Sequence, residues 1–498
     1  MLVEQPRDIT QAHLEKGSLL ERSIEPEAVK PVLDHNAVST SSIPSPPRTP
    51  ENVADPGRHL VVRGQGNYIY LSDGREILDA SGGAAVACLG HGVKEVTDAI
   101  VAQSAIISYV PWGFMDSQSR RDLSRWLSQT SNGHFTKVWV TSSGSEAMEG
   151  AIKLAREYFT WVGQPQRQNY IARDTSYHGI TLGALAVGGH VTRKAPFEPL
   201  LVSNVHRISA CNPYRQRLLG ESDDEFVSRK AEELEQAFIQ VGPDTVVAFV
   251  AETVVGAAAG CVPPVPGYFK AMKAVCDKYG ALLILDEVMC GMGRTGTLHA
   301  WEQEDVTPDI QAVGKGLGGG YQPASAILAS RKITQAMEAK GAAFTHGHTY
   351  MDHPVVCAAA LRVQQIIQRD NLLSNVQAQG EYLEKLLLTR LRNHPNVGDI
   401  RGRGLFWGIE LVRDKETKEP FDPKYQLARR VQETALGAPY NLSLYFGQGC
   451  AGQGKGDHLM IMPAYNITQD VIETIVDKLV MVITNVFSQL KEELEAEQ

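Results

Sequence analysis

The central part of the chain alternates between two patterns of apolar positions. Short, continuous apolar runs are separated by longer segments in which apolar residues recur every three or four positions, and these patterns are typical of buried strands and amphipathic helices. They predict strands at Lys137–Thr141, Val246–Ala251 and Ala281–Asp286, and helices at Ser145–Phe159 and Gly267–Tyr279. Because strands that are apolar throughout must be covered on both faces, we expect a mostly parallel sheet between helices.

Both ends of the chain carry shorter elements. Strands are predicted at His59–Val62, Asn67–Leu71, Glu76–Ala80 and within Asp399–Val412, and a closing helix begins at about Gln469. The expected fold is therefore α/β, with a large, mostly parallel-sheet domain and a smaller α+β domain built from both chain ends. We place the first part of the small domain at residues 57–89, the large domain at residues 90–345 and the remainder of the small domain at residues 346–498.

Residues 1–56 have a different composition. The Pro/Ser-rich run Ser39–Pro50 cannot hold a hydrogen-bonded ladder, so we predict a disordered tail with one short helix near Gln11–Glu21. Met1–Lys30 contains many acidic residues and no apolar core, and therefore does not read as a signal or transit peptide.

Composition narrows the function classes. With 43% hydrophobic residues, the 498-residue chain can bury a large core, which excludes global disorder and a fibrous repeat. A formal net charge of −9 argues against nucleic acid or an anionic membrane as the main partner, and no apolar run is long enough to span a bilayer. The seven cysteines are scattered without a Cys-x-x-Cys pair, so we expect no metal site and no disulfide framework, and a reducing, cytoplasmic location.

Three glycine-containing runs resemble nucleotide-binding motifs, but the neighbouring residues do not support that function. Gly291–Gly296 and Gly447–Gly452 match the dinucleotide glycine spacing, but the first is separated from its strand and no strong helix follows it, and the second lies in a loop-like region. Gly314–Gly316 lacks the hydroxyl residue that a phosphate-binding P-loop places after its lysine.

One candidate anion site lies between the predicted strand and helix around residue 144. The run Thr141-Ser-Ser-Gly-Ser-Glu146 is made of small residues, whose backbone N–H groups can approach a phosphate where the helix dipole favours negative charge. Ser145 is a plausible N-cap of that helix, and a simple cap without any ligand is the alternative interpretation.

Two charged side chains lie in otherwise apolar surroundings. Asp286 ends a buried strand at the edge where open α/β sheets bind ligands, although a structural ion pair would explain it too. Lys315 is the only charged residue from Gln311 to Ser330. Such a lysine would be partly desolvated, which lowers its pKa and makes its amine nucleophilic; a surface lysine is the alternative.

These features together match the needs of pyridoxal 5′-phosphate. This cofactor requires a phosphate site, an acid beside its ring nitrogen, and a lysine amine that joins its aldehyde. It also requires flat contacts on its ring, which Tyr177 in the run Tyr177-His-Gly179 could supply, although such a pair is more often core or capping.

The residues resemble the class III (ω-type) aminotransferases of fold type I over about residues 58–490. The most specific part of the resemblance is Leu283–Gly296 followed by Val313–Pro323. Further matching blocks are Leu71–Asp79, Ser143–Ala147, Tyr177–Gly179, Gly347–Pro354 and Arg401–Leu411.

The resemblance implies catalytic roles for two residues. Lys315 would hold the cofactor covalently and, once substrate displaced it, would carry the proton between the substrate carbon and the cofactor carbon. Asp286 would keep the pyridine nitrogen protonated, so that the ring accepts electrons.

It implies binding roles for five more. Gly144 and Ser145 would bind the phosphate, and Tyr177 and Val288 would lie on opposite faces of the ring. Thr349 matches a threonine that reaches the phosphate of the neighbouring subunit, which implies an obligate homodimer.

The sequence also departs from the family pattern at positions that bear on the substrate. Ala257 replaces a glutamate that gates a substrate-binding arginine in the ornithine and acetylornithine branches, and the matching arginine is missing from Asp457–Pro463. The loop Tyr445–Gln448 lacks the flexible arginine of several amine transaminases, and Met289 stands where some relatives have glutamine. Since arginine is the usual ligand of a carboxylate, a dicarboxylate donor is disfavoured.

The expected reaction is a ping-pong transfer of an amino group from an amine, ω-amine or amino acid to a 2-oxo acid. Tyr109–Phe114 lies where relatives place pocket-lining aromatic residues, which would suit a bulky or apolar amine, but ordinary core is an equal alternative. The rival functions are an aminomutase, racemase or decarboxylase on the same scaffold and an inactive binding protein.

Overall fold

The computed structural model describes residues 58–496. The predicted tail of residues 1–56 and its short helix lie outside the described residues. Contacts group residues 59–496 into one compact unit, and the domain boundaries expected above stay a prediction.

The described residues form fifteen strands and fourteen α-helices. The strands are β1 Val61–Gln65, β2 Tyr68–Leu71, β3 Glu76–Asp79, β4 Phe135–Thr141, β5 Asn169–Arg173, β6 Val205–Ile208, β7 Val246–Glu252, β8 Leu282–Glu287, β9 Ile310–Val313, β10 Ser325–Ser330, β11 Val397–Arg403, β12 Phe406–Leu411, β13 Leu442–Ser443, β14 Tyr445–Gly452 and β15 Lys455–Ile461. The helices are α1 Gly82–Ala85, α2 Lys94–Ile106, α3 Gln118–Thr130, α4 Gly144–Trp161, α5 Leu182–Val187, α6 Val191–Lys194, α7 Pro213–Gln216, α8 Asp223–Val241, α9 Tyr268–Lys278, α10 Arg331–Ala339, α11 Pro354–Arg369, α12 Leu372–Leu391, α13 Leu427–Leu436 and α14 Gln469–Ala496.

Seven strands form the large sheet, in the order β4-β10-β9-β8-β7-β5-β6. Strands β6, β5, β7, β8 and β9 are parallel, and β10 is antiparallel to both of its neighbours. The predicted mostly parallel sheet is therefore confirmed, with one reversed strand that the apolar pattern did not indicate.

Both faces of this sheet are covered. On β8, Leu282 and Ile284 pack into a core with α4, whereas Leu283 and Leu285 pack into a second core with α3, α8 and α9. This arrangement follows from the period of two in a strand, because neighbouring side chains point to opposite faces. It is the physical reason why β7 and β8 are apolar at nearly every position.

Two smaller sheets contain the chain ends. One has the order β1-β2-β3-β13 and joins N-terminal strands to a C-terminal one, as expected for a region built from both ends. The other has the order β11-β12-β15-β14. No helix of residues 58–496 is long and apolar enough to cross a membrane.

The prediction that Gly447–Gly452 lies in a loop is wrong. These residues belong to β14, which pairs antiparallel with β15, with a register shift between Gln448 and Gly452. An irregular pairing of this kind accommodates glycines that a regular strand disfavours, so the high glycine content concealed the strand.

Candidate active site

The candidate site lies at the carboxyl ends of three neighbouring parallel strands. Glu252 ends β7, Asp286 is the last but one residue of β8, and Lys315 follows β9 by two residues. Glu252 and Asp286 are direct partners in the β7–β8 register. Because parallel strands all end at the same edge, residues distant in sequence meet there, which is where open α/β sheets bind ligands.

Asp286 is only 5% exposed and is held at both oxygens. His178 Nδ1 lies 2.8 Å from Oδ2, and the backbone N–H of Val288 donates to Oδ1 at 3.0 Å. The His178 side chain is buried, and its Nε2 atom has no hydrogen-bond partner among the described residues. The carboxylate is thus oriented by His178 while still lining the cavity described below.

Glu252 is a second buried carboxyl group beside Asp286. It accepts hydrogen bonds from the backbone N–H groups of Tyr177 (3.0 Å) and Gly256 (2.8 Å). Burial raises the pKa of this carboxyl, and the neighbouring charge of Asp286 raises it further. Glu252 therefore ties the Tyr177 loop and the loop after β7 to the strand end.

Lys315 begins a short 3-10 turn directly after Gly314. Its φ of +43° is in the left-handed region, which is uncommon for residues other than glycine and costs energy. Burial lowers the pKa of the Lys315 amine, although the carboxylate of Asp286 opposes that shift. A larger share of this amine is therefore unprotonated, and so nucleophilic, than in an exposed lysine.

The N-terminus of α4 faces the same cavity. The N-cap is Ser143, whose Oγ accepts the N–H of Glu146, so the prediction that Ser145 caps the helix is wrong. Ser145 Oγ instead accepts the N–H of Ile180, because the glycine at position 179 allows that loop to approach closely.

A side chain at position 144 would collide with Val288, so this position favours glycine. A Cβ atom at this position would lie 2.6 Å from Cγ1 of Val288, closer than any real side chain tolerates. The first hydrogen bond of the helix runs from the Ala147 N–H to the Ser143 carbonyl, so the N–H groups of Gly144 and Ser145 precede the helical ladder. This helix start has the properties of an anion cradle.

A cavity of about 210 Å³ joins these groups. Its lining consists of Gly144, Ser145, Tyr177, His178, Gly179, Glu252, Ala257, Asp286, Val288, Met289 and Lys315. Six of the seven residues expected from sequence thus line one space.

Two sets of residues lie outside this cavity. Thr349 is exposed and does not line it, and its expected contact with the phosphate of a neighbouring subunit stays a prediction. The Tyr109–Phe114 run does not line it either. Val110, Trp112 and Phe114 line a separate cavity of about 430 Å³, and Phe114 is 81% exposed, so ordinary core is also wrong for that residue.

Sequence reasoning gave no role to His178, to the Glu252 carboxylate or to Arg193. His178 was visible only as part of the Tyr-His-Gly run. Glu252 and Asp286 are paired by the register of β7 and β8, and this register cannot be predicted from a single sequence. Arg193 lies in the four-residue helix α6, with its guanidinium carbon 4.9 Å from the ring centroid of Tyr177.

The described residues contain no group of three or more His, Cys, Asp and Glu side chains that could hold a metal ion. All seven cysteines are buried and free. The groups that line the site include one amine (Lys315), two carboxyl groups (Glu252 and Asp286) and an imidazole (His178).

Comparison with known proteins identifies the family. The sequence model for "Aminotransferase class-III" matches residues 51–483. The chain belongs to the class III aminotransferase family. The resemblance inferred from the motifs is confirmed, and so is the activity as an aminotransferase.

Individual class III relatives agree over most of the chain. An aminotransferase of Gibberella zeae is 52% identical over 421 residues, which cover 84% of this chain and 82% of the relative. The crystal structure of an (S)-enantioselective omega-transaminase from Thermomicrobium roseum superposes with a TM-score of 0.81 at 34% identity, covering 88% of this chain and 96% of that one. The omega transaminase of Pseudomonas jessenii, in complex with PMP, gives a TM-score of 0.81 at 29% identity, covering 89% and 96%. The fold is therefore that of the class III transaminases, fold type I.

Proposed function

We propose that this class III aminotransferase binds pyridoxal 5′-phosphate in the 210 Å³ cavity and attaches it to Lys315. One observation carries the proposal: the half-buried Lys315, the buried carboxylate of Asp286 and the N-terminus of α4 all line the same space. The groups fit the cofactor, since each has the charge and hydrogen-bonding capacity that one end of the molecule requires.

The cofactor, when bound, supplies an electron sink for the bonds at the substrate carbon. The protein residues do the remaining work. Asp286, oriented by His178, would hold a proton on the ring nitrogen, and Gly144 and Ser145 would bind the phosphate. Tyr177 and Val288 would hold the ring between them, and the Lys315 amine would move the proton at the substrate carbon.

The proposed reaction is a ping-pong transfer from an amine, ω-amine or amino acid to a 2-oxo acid. A spectrophotometric half-reaction tests it: a donor should convert the cofactor from its aldehyde form to its amine form and release a carbonyl compound. Release of carbon dioxide, or a cofactor that keeps its aldehyde-derived spectrum throughout turnover, would contradict transamination. Borohydride reduction and peptide mapping should find the pyridoxyl group on Lys315, and its absence there would contradict the attachment.

We also propose that the enzyme is a homodimer in which Thr349 contacts the cofactor phosphate of the other subunit. Tyr350, next to Thr349, is exposed, and so are Phe114 and Met115, whose segment contacts this loop through the hydrogen bond from Trp112 Nε1 to the His348 carbonyl (2.9 Å). Exposed apolar areas of this kind are typical of interfaces.

A hybrid dimer tests the role of Thr349. A dimer of one Lys315→Ala and one Thr349→Ala chain has one fully intact site only if Thr349 acts on its neighbour. Sedimentation should show a dimer, and the hybrid should exceed both homodimeric variants in activity. A monomer in sedimentation would contradict this assignment. So would a hybrid whose activity does not exceed half that of the Thr349→Ala homodimer, because it would then contain one impaired site and no intact one.

We further propose a cytoplasmic location. Seven free thiols with no disulfide among them support a reducing compartment. Fractionation of cells that produce the tagged full chain would place it, and recovery with organelles would contradict the proposal.

A further inference from the structure

A second cavity of about 460 Å³ adjoins the first, and Ala257 lines both. Its other lining residues include Ser81, His190, Arg193, Ser443 and Tyr445. A substrate that reached Lys315 through this space would extend past Ala257.

Arg193 is the one permanently charged side chain among the residues that line this second cavity. No Asp or Glu lines it, and within residues 58–496 no acidic side chain forms an ion pair with Arg193. The guanidinium packs against the Tyr177 ring, with its carbon 4.9 Å from the centroid. That contact holds the planar group in place and leaves its N–H donors free for a ligand.

The charge of Arg193 also reaches the reactive end of the site. Burial is the main cause that lowers the pKa values of His190 and Lys315. The positive charge of Arg193 lowers both pKa values further. An uncompensated cation at this point therefore attracts an anion into the space between the two cavities.

A ping-pong enzyme must bind both of its substrates in one place, and a 2-oxo acid always carries a carboxylate. Arg193 is the one arginine among the described residues that line the two cavities. An arginine fork is well suited to bind a carboxylate.

We propose that Arg193 is the carboxylate-binding residue of this enzyme, for the 2-oxo acid and for the donor, and that its preferred donors are therefore amino carboxylates rather than simple amines. The inference rests on the proposed function. The substrate carboxylate and the cofactor phosphate are both anions that an arginine can bind, and the test separates these two ligands.

The test compares Arg193→Met with Arg193→Lys and with the control Lys194→Gln. Lys194 is the next residue of α6, does not line either cavity, and donates to the carbonyl of Ala186. Lys194→Gln removes the same formal charge from the same helix. Each holoenzyme is measured for its half-reactions with 4-aminobutyrate, butylamine and pyruvate, for propanoate binding by calorimetry, and for the dissociation constant of the cofactor.

Arg193→Met should weaken propanoate binding and raise the KM for pyruvate and 4-aminobutyrate by about 10- to 100-fold, the range for losing a charge-assisted hydrogen bond. The ratio of the rates with 4-aminobutyrate and butylamine should fall by a similar factor. Arg193→Lys should recover part of the loss, and Lys194→Gln should behave like the wild type.

Equal losses with butylamine and 4-aminobutyrate, or unchanged propanoate binding in Arg193→Met, would overturn the inference. Weaker cofactor binding with an unchanged donor ratio would show that Arg193 serves the phosphate, and would overturn it too. If the wild type itself performed no half-reaction with any donor, the proposed function would fail instead.

Discussion

Two carboxyl groups at the end of β8 are neighbours in sequence but have opposite surroundings. Asp286 points to the cavity, where His178 and one backbone N–H hold it and one side faces open space. Glu287 points to the other face of the sheet and has no exposed surface. Its oxygens accept hydrogen bonds from Thr253 (2.7 Å), from the backbone of residues 300 and 301 (2.7 and 2.8 Å), and from Gln311 (2.7 Å).

The difference separates a structural carboxyl group from a functional one. Every acceptor position of Glu287 is used by the protein itself, so nothing is left for a ligand. Only His178 and the N–H of Val288 hold Asp286, which lines the cavity together with Lys315 and the N-terminus of α4. Burial alone does not distinguish them, since both are buried; the number of donors supplied by the fold does.

The largest expected effect comes from Lys315→Ala. We expect turnover to fall by at least about 10³-fold, because the variant loses both the attachment point and the group that moves the proton. Circular dichroism and the unfolding midpoint should stay close to those of the wild type. Lys332→Ala is a suitable control, since Lys332 pairs with Asp309 (3.2 Å) away from the cavity. Retained steady-state activity in Lys315→Ala would refute the assignment.

Asp286→Asn and Glu287→Gln test the comparison directly. Asp286→Asn should lower kcat/KM by about 10²- to 10³-fold, as expected for the loss of an electrostatic contact in the transition state, with little loss of stability. Glu287→Gln should cost about 1–3 kcal/mol of unfolding free energy near pH 5, because the amide nitrogen, unlike either oxygen of the acid, accepts no hydrogen bond from the donors around it, while the turnover per folded molecule changes little. The reverse assignment of the two effects would break the comparison.

Gly144→Ala should weaken cofactor binding by about tenfold. The new Cβ would meet Val288 at 2.6 Å, and an overpacked contact costs about 1–3 kcal/mol. Adding Val288→Ala removes the clash and should restore part of the affinity, measured by titrating the apoenzyme with the cofactor. An additive loss in the double variant would show that another contact makes the glycine necessary.

Glu287 should also leave a pH signature in stability. Burial raises its pKa from 4.5 to about 7, so the folded state holds a proton that the unfolded state has released. This contribution is complete below pH 4.5 and is lost as the pH rises toward 7, at up to about 1.4 kcal/mol per pH unit.

Denaturant unfolding of wild type and Glu287→Gln at one protein concentration, from pH 5 to 7.5, measures that slope. The wild-type free energy should fall relative to the variant as the pH rises. A constant difference across the range would mean that Glu287 is ionised throughout.

Much of the fold was predictable because its main elements are long and have a clear period. The predicted strand Lys137–Thr141 starts two residues later than β4 and ends with it, and the predicted strand Ala281–Asp286 is displaced from β8 by one residue at each end. The wrong predictions concern a helix cap and an irregular strand. Ser143 rather than Ser145 caps α4, and Gly447–Gly452 belongs to a strand with irregular pairing. Caps and bulges depend on single hydrogen bonds, which an apolar pattern does not record.

The sequence by itself determined the apolar strands, the isolated lysine and the strand-end aspartate, because burial fixes which residue types a central strand can hold. Only the tertiary structure decided that Glu252 and His178 flank Asp286. It also decided that Arg193 packs on Tyr177, and that Glu287 is buried and hydrogen-bonded on the opposite face of the sheet. These contacts join residues from 16 positions apart, as for Tyr177 and Arg193, to 108 positions apart, as for His178 and Asp286. Their geometry follows from strand register and loop packing, which depend on the whole chain at once.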